Sequence, residues 1–358
     1  MDKLAHISKL LEQIRSSEGD TFAYDEGKIR EVYEKQGANT SSLAIKILSI
    51  FGGFLAMLAF LGFLTITGLY NSPIGLFLFG LGFIVSSIAL SKAFDKLIID
   101  TFSISLYIIG FVLFIMGLFQ WDIEENTVTL LTGLLALVVL SITRNYILLF
   151  ISVLIFNGSL LTLIISNDAY NLVHFYVAAN AIVLTSLLLN EARIIASYKK
   201  LAKLYNPLRI GLIMSILFGL IAIGKKDLLP VSQDYIWLSS IVLILILAYL
   251  THIISGIHKI ETSKTKVIIY SLVGLLLIST LFAPSILGAL MILLLCFLVN
   301  YKTGMIIGII ALIYFVGQYY YDLSFTLLTK SIILFSSGIL FGLLYLFLNR
   351  KMKADEKV

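Results

Sequence analysis

The sequence predicts an all-α integral membrane protein of about twelve transmembrane helices, with both termini on the cytoplasmic side. Three observations carry that prediction. Of 358 residues, 59% are hydrophobic and only 13% charged, with a mean hydropathy of +1.01; a soluble domain of that balance would expose far more apolar surface than water tolerates. The apolar residues fall in blocks of about 20, the length that crosses the hydrocarbon core of a bilayer as a helix. Lys and Arg cluster in every second gap between the blocks, as cytoplasmic loops do.

Hydropathy punctuated by turn residues places the spans at 44–68, 73–93, 97–119, 127–142, 145–166, 169–190, 208–224, 233–254, 266–281, 284–299, 302–320 and 324–348. The stretch 266–299 is too long for one crossing. Phe282-Ala283-Pro284-Ser285 divides it, because a proline costs no backbone hydrogen bond at the first position of a new helix. With the N-terminus inside, the 26 Lys and Arg residues fall on the inner side except for Lys225, Lys226 and Lys330. A missed span would exchange the two sides for everything after it, so this regularity favours an even count. Trp121 and Trp237 land at the outer boundary, where amphipathic rings settle. The acidic loop Trp121 to Asn126 lacks any cation, as an external loop can.

The chain therefore divides into a cytoplasmic helical segment (1–42), two six-helix membrane halves (43–206 and 207–349) and a cytoplasmic tail (350–358). In the first segment Leu4, Ile7, Leu11 and Ile14 share one helical face, and a second short helix over Asp25 to Gln36 would bury Ile29, Val32 and Tyr33. Such a pair either docks a partner or gate, or lies on the inner membrane surface. The first apolar block starts too late for a secretory signal and lacks a cleavage pattern.

An internal repeat is also legible. Asn145-Tyr146 and Asn300-Tyr301 each follow a short apolar span, and each is followed by a helix, an outer turn bearing an acid (Asp168 or Asp322) and a returning helix. His174 then aligns about where Lys330 does. Six helices separate the copies, which makes the repeat parallel. Apolar sequences align easily by chance, so superposition of the two halves is what decides it.

Little in the chain offers chemistry. Cys296 is alone and makes no intramolecular disulfide or metal site. Four histidines lack metal-ligand spacing, and no phosphate, dinucleotide, zinc-protease or nucleophile-elbow motif occurs. No cofactor or metal is expected. The net charge of +5 reflects loop topology, so nucleic-acid binding does not follow.

Ionisable groups at membrane depth need a partner, water or a route to the interface. Lys330 lies about six residues inside the last span, roughly 9 Å deep at ~1.5 Å per residue. It either snorkels to the interface or joins a buried site with Asp322, His174, Gln318 and Asp168, which sit at similar outer depths. Asp100, near the inner end of the third span, is a weaker candidate that more simply caps its helix or pairs with Lys96. Asn157 and Asn180, near mid-membrane, are weaker still, since polar residues there commonly tie helices together. Gly52, Gly53, Gly80, Gly82, Gly110 and Gly117 suit close helix approach.

Two stretches carry a family resemblance: Gly52-Gly53-Phe54-Leu55-Ala56 running into Phe60-Leu61-Gly62-Phe63-Leu64, and Tyr319-Tyr320-Tyr321-Asp322-Leu323 followed by Thr326 to Ser331 and Gly338. Together they resemble an uncharacterised bacterial family of polytopic inner-membrane proteins. Its members are often encoded beside a second multi-span family and a small membrane-anchored protein with a Gly-Asp-Tyr motif. The resemblance implies a bacterial inner membrane and membrane-protein partners from that neighbourhood, and brings no activity.

The function expected first is therefore that of a subunit of an envelope membrane complex. A transporter-like carrier of a small or lipid-like solute, with a site between the two halves, is second. An intramembrane enzyme is a distant third, because no nucleophile, base and acid share one depth. A polar cavity open to one side would favour transport, and a solid bundle would favour assembly.

Overall fold

The computed structural model describes residues 43–93, 97–197, 199–225, 228–257 and 263–322, with a few scattered positions elsewhere. The N-terminal segment, most of the twelfth predicted span, Lys330 and the tail lie outside the described residues. Among the described residues every regular element is helical. We number the α-helices α1 (Leu43–Ile66), α2 (Pro73–Ala93), α3 (Leu97–Gln120), α4 (Glu125–Ile142), α5 (Tyr146–Ser166), α6 (Leu172–Leu189), α7 (Glu191–Ser197), α8 (Lys199–Gly224), α9 (Ile236–Ile257), α10 (Ser263–Ser279), α11 (Pro284–Leu298) and α12 (Lys302–Asp322). Eight of them contain a stretch long and apolar enough to cross a membrane, and α1, α10 and α11 hold shorter apolar stretches.

Two of these boundaries instruct. The expected break before Pro284 is present: α10 ends at Ser279 and α11 begins at Pro284, its first position. The helix that carries the seventh predicted span extends further toward the N-terminus than that span, and its apolar stretch begins at Leu204. Helix α8 starts at Lys199 and runs through Pro207 without ending. Membrane helices tolerate such a proline because neighbouring groups re-satisfy the freed carbonyl.

The chain forms two compact units, Met1–Glu124 and Glu125–Val358. The first is built on the α2–α3 pair, which is held by glycine. A Cβ on Gly80 would lie 2.6 Å from the Phe114 nitrogen, one on Gly110 2.9 Å from the Gly80 oxygen, and one on Gly117 2.7 Å from the Phe77 nitrogen. Backbone therefore meets backbone, the close approach that small residues permit in membranes. Gly53 instead abuts the side chains of Thr101 and Ser105 of α3, at 2.9 and 3.1 Å from its would-be Cβ, whereas a Cβ on Gly52 or Gly82 meets nothing within 4 Å. Small residues were thus correctly read as packing positions at four of the six glycines, and the outward two carry no contact.

In the second unit α8 and α11 are central. Helix α8 packs against α5, α6 and α11, and α11 also packs against α9 and α12. Fifteen residues long, α11 covers about 22 Å, short of the ~30 Å hydrocarbon core. Its Leu287, Gly288, Ala289, Met291, Ile292 and Leu295 are buried inside protein, which is where a short helix is tolerated at membrane depth. This core draws on helices from both sides of residue 207.

Three helices end the same way. Asp122, Asp168 and Asn300 have φ of 52°, 53° and 53°. Each sits two residues past the end of its helix, and the next N–H bonds back: Ile123 to Leu118, Ala169 to Ile164 and Tyr301 to Cys296, at 3.4, 3.0 and 2.8 Å. Each of the three also donates its own N–H to Phe119, Ile165 or Phe297. This is the Schellman closure, whose left-handed position accepts glycine, Asn or Asp. We predict that Asn300→Val lowers stability by about 1–2 kcal/mol while Asn300→Gly is nearly neutral, as read from thermal unfolding in detergent. Equal losses would show that the side chain, not the backbone, matters. The two Asn-Tyr pairs aligned in the sequence consequently differ in conformation: Asn145 has φ −76° and caps α5, accepting from the Ile147 and Leu148 nitrogens.

Candidate functional site

The second unit has polar features at both ends of α8. At the Gly224 end a cavity of about 530 Å³ opens between the end of α8, the start of α9, the α10–α11 break and the end of α12. Its polar lining comes from Asp234, Ser285, Gln318 and Asp322, and its apolar wall includes Phe282, Phe315 and Tyr319. The local causes are visible. Gln318 and Asp322 are four residues apart on α12, hence on one helical face. Pro284 forces the break that exposes the α11 terminus. The Ser285 hydroxyl donates to the Leu220 carbonyl at 2.9 Å, tying α11 to α8 beneath the cavity. Asp234 accepts from the Ser232 hydroxyl at 2.9 Å. The Oε1 of Gln318 is buried without a hydrogen-bond partner. On the other flank of α12 a shallower groove is lined by Lys225, Tyr314 and Tyr321, and shares Gln318 and Asp322.

The residues expected from the sequence occupy separate environments. Gln318 and Asp322 share the cavity, with Asp234 beside them. His174 does not line it: its ring is fully buried, Nδ1 lies 2.8 Å from the Ser239 hydroxyl oxygen, and Nε2 has no partner. Asp168 does not line it either. It closes α5, and its carboxylate accepts the Tyr170 hydroxyl at 2.6 Å, a bond that holds the Tyr170 phenol above its usual pKa. Asn157 and Asn180 donate to the carbonyls of Val153 and Tyr176, at 3.0 and 2.9 Å, within their own helices rather than across to a neighbour. Asp100 stands in the first turn of α3, where a carboxylate complements the helix dipole. Lys330 lies outside the described residues. Asp234 was not singled out in the sequence, where it stands at the outer start of the predicted span 233–254.

At the opposite end is a residue counted in the sequence among the inner-side cations. Arg209 lies five positions inside the apolar stretch Leu204–Gly224, and its side chain is 16% exposed. Its guanidinium stands 3.7 Å from the centre of the Tyr301 ring and 5.2 Å from that of Tyr205. Its charge is met by Glu191 of α7 at 3.7 Å, an ion pair without a hydrogen bond. Its Nε is buried and unpartnered. Gly304 makes room for this stack, since a Cβ there would fall 2.5 Å from the Tyr301 ring and from Cys296 Sγ. An arginine after a run of lysines reads as topology signal, and only helix α8 reaching back to Lys199 draws it into the bundle.

Many apolar helices and few, scattered polar groups define a multi-pass α-helical membrane protein. More particularly, residues 42–351 match the family described as Domain of unknown function (DUF4401), and the chain belongs to that family. No curated protein and no solved structure matches the chain. Among the described residues no group of three or more His, Cys, Asp or Glu could hold a metal ion.

Proposed function

We propose that this chain is a membrane-embedded solute-binding protein of carrier type, admitting a small solute from one face of the bilayer into the cavity at the Asp322 end. One observation carries the reading: a cavity of about 530 Å³ whose lining includes the Asp234 and Asp322 carboxylates. Beyond the cavity Leu220, Leu287, Ile292 and Leu295 are fully buried. A carrier loaded from one side and closed toward the other would have that arrangement.

In this reading the chain crosses a bacterial inner membrane twelve times, as two six-helix halves with both termini cytoplasmic, and the cavity faces outward. The start of α4, the end of α5, the start of α6 and the turn before α9 share one end of the unit, through the reciprocal amide bonds of Asn126 and Asn167 and the Asn171–Ser232 bond. In a Cys296→Ala background, cysteines at Glu125 and Ile236 should therefore both react with an impermeant maleimide added to intact cells. Labelling that appears only after lysis would reverse the orientation, and no labelling of Ile236→Cys under any condition would remove the open cavity.

A second reading, a subunit of an envelope complex with membrane-protein partners from its gene neighbourhood, is favoured by the packed apolar interior of the second unit. Its sign would be a stoichiometric partner co-purifying with the full chain in mild detergent.

A further inference from the structure

We infer that Arg209, Tyr301 and Glu191 form a gate at the end of the second unit opposite the cavity, closed while the cavity is open. This rests on the solute-binding reading above and adds to it the device that alternates the two openings. The juxtaposition comes first. Two helices wall the cavity near their C-terminal ends, α8 through Ile223 and Gly224 and α12 through Gln318 and Asp322. Toward their starts both reach the clamp. Arg209 lies about 22 Å before Gly224 along α8, at ~1.5 Å per residue, and Tyr301 immediately precedes Lys302, the first residue of α12. A tilt of one helix against the other that narrows the cavity would draw the clamp apart, because each helix is stiff between its ends.

The second observation is how lightly the clamp is bonded. Arg209 stacks on Tyr301 and pairs with Glu191 at 3.7 Å without a hydrogen bond, and its Nε is buried without a partner. A guanidinium that serves as a permanent tie commonly uses its donors in forked, charge-assisted hydrogen bonds. Here opening breaks one stacking contact and one loose ion pair, and it gives the unpartnered Nε access to water. The third observation is a place to bend. Pro207 stands inside α8 two residues before Arg209, and a proline there removes one backbone hydrogen bond from the helix. What the clamp covers is Cys296, whose side chain is buried. The Cys296 carbonyl accepts the Tyr301 N–H at 2.8 Å, and a Cβ on Gly304 would fall 2.5 Å from both its Sγ and the Tyr301 ring. This thiol reports on the clamp without belonging to it.

The test uses the full chain in nanodiscs, where reagent reaches both faces, and follows the rate of maleimide labelling at two thiols. One is the natural Cys296; the other is Ile236→Cys in the cavity lining, in a Cys296→Ala background. Arg209→Lys keeps a charge opposite Glu191 but loses the planar stack, and Tyr301→Leu loses the ring. Each should speed labelling of Cys296 at least tenfold and slow that of Ile236→Cys at least threefold. Tyr301→Phe keeps the ring and should leave both rates within twofold of the parent. Faster labelling of Cys296 with an unchanged rate at Ile236→Cys would reduce the clamp to local packing and overturn the gate, with the solute cavity left standing. Faster labelling at both positions would be loosening of the whole unit and overturns the gate as well. So does an unchanged rate at both. An Ile236→Cys that reacts in no variant overturns the cavity reading itself, and the gate with it.

Discussion

Gly110→Leu is expected to disrupt the first unit, with a cost of about 3 kcal/mol or more, beyond the usual range for overpacking. The reason is the identity of the obstructing atoms. A Cβ at 110 would fall 2.9 Å from the Gly80 oxygen and 2.9 Å from the Ile84 nitrogen. A flexible side chain could swing aside, but a backbone inside a hydrogen-bonded helix cannot. Gly80→Ala should be damaging on the same grounds, since its Cβ would meet the Phe114 backbone at 2.6 Å. Gly82→Leu is the control, because a Cβ there meets nothing within 4 Å. Gel filtration in mild detergent, with thermal unfolding of whatever remains monodisperse, reads the three variants. If Gly110→Leu and Gly82→Leu behave alike, the close α2–α3 contact does not hold the unit together.

Arg209→Met is expected to lower the stability of the second unit by about 2–3 kcal/mol, at or below the low end of what breaking a buried pair costs because Glu191 is 33% exposed. Two effects combine. The Glu191 carboxylate loses its counter-charge, and the Tyr301 ring loses a cation stacked at 3.7 Å, an interaction worth roughly 0.5–2 kcal/mol. Arg209→Lys keeps the charge but not the planar group that lies on the ring, so it should recover only part of the loss. The double variant Arg209→Met with Glu191→Gln should be less damaged than the sum of the single changes, because the stranded carboxylate is then neutral. Full retention of stability in Arg209→Lys would show that charge alone matters at this position.

The extent of legibility follows from which forces are local. Helix positions were readable because bilayer thickness imposes a length on each apolar block; eleven of the twelve predicted spans fall on helices of the described structure, and eight of those helices are long and apolar enough to cross a membrane. The α10–α11 break was readable because proline acts on its own helix. The start of α8 was not, because Pro207 is accommodated by packing that no local pattern records. Among candidate polar residues, Gln318 and Asp322 share a face by helical periodicity alone. That His174 turns to Ser239 instead, and that Asp234 joins the cavity, depends on which helices are neighbours.

By itself the sequence determined the class of this protein, the existence of its apolar helices and the residues able to end them, including Asp122, Asp168 and Asn300, whose side-chain type tolerates positive φ. These follow from solvent and from backbone sterics, which act over a few residues. The tertiary structure decided the rest: that Arg209 is clamped between tyrosines rather than solvated, that glycines 80, 110 and 117 touch backbone while 52 and 82 do not, and that the ends of four elements enclose one cavity. Those outcomes come from contacts between residues distant in the chain. In a nearly uniform apolar sequence they leave no periodic trace, because each helix is apolar toward lipid and toward its neighbours alike.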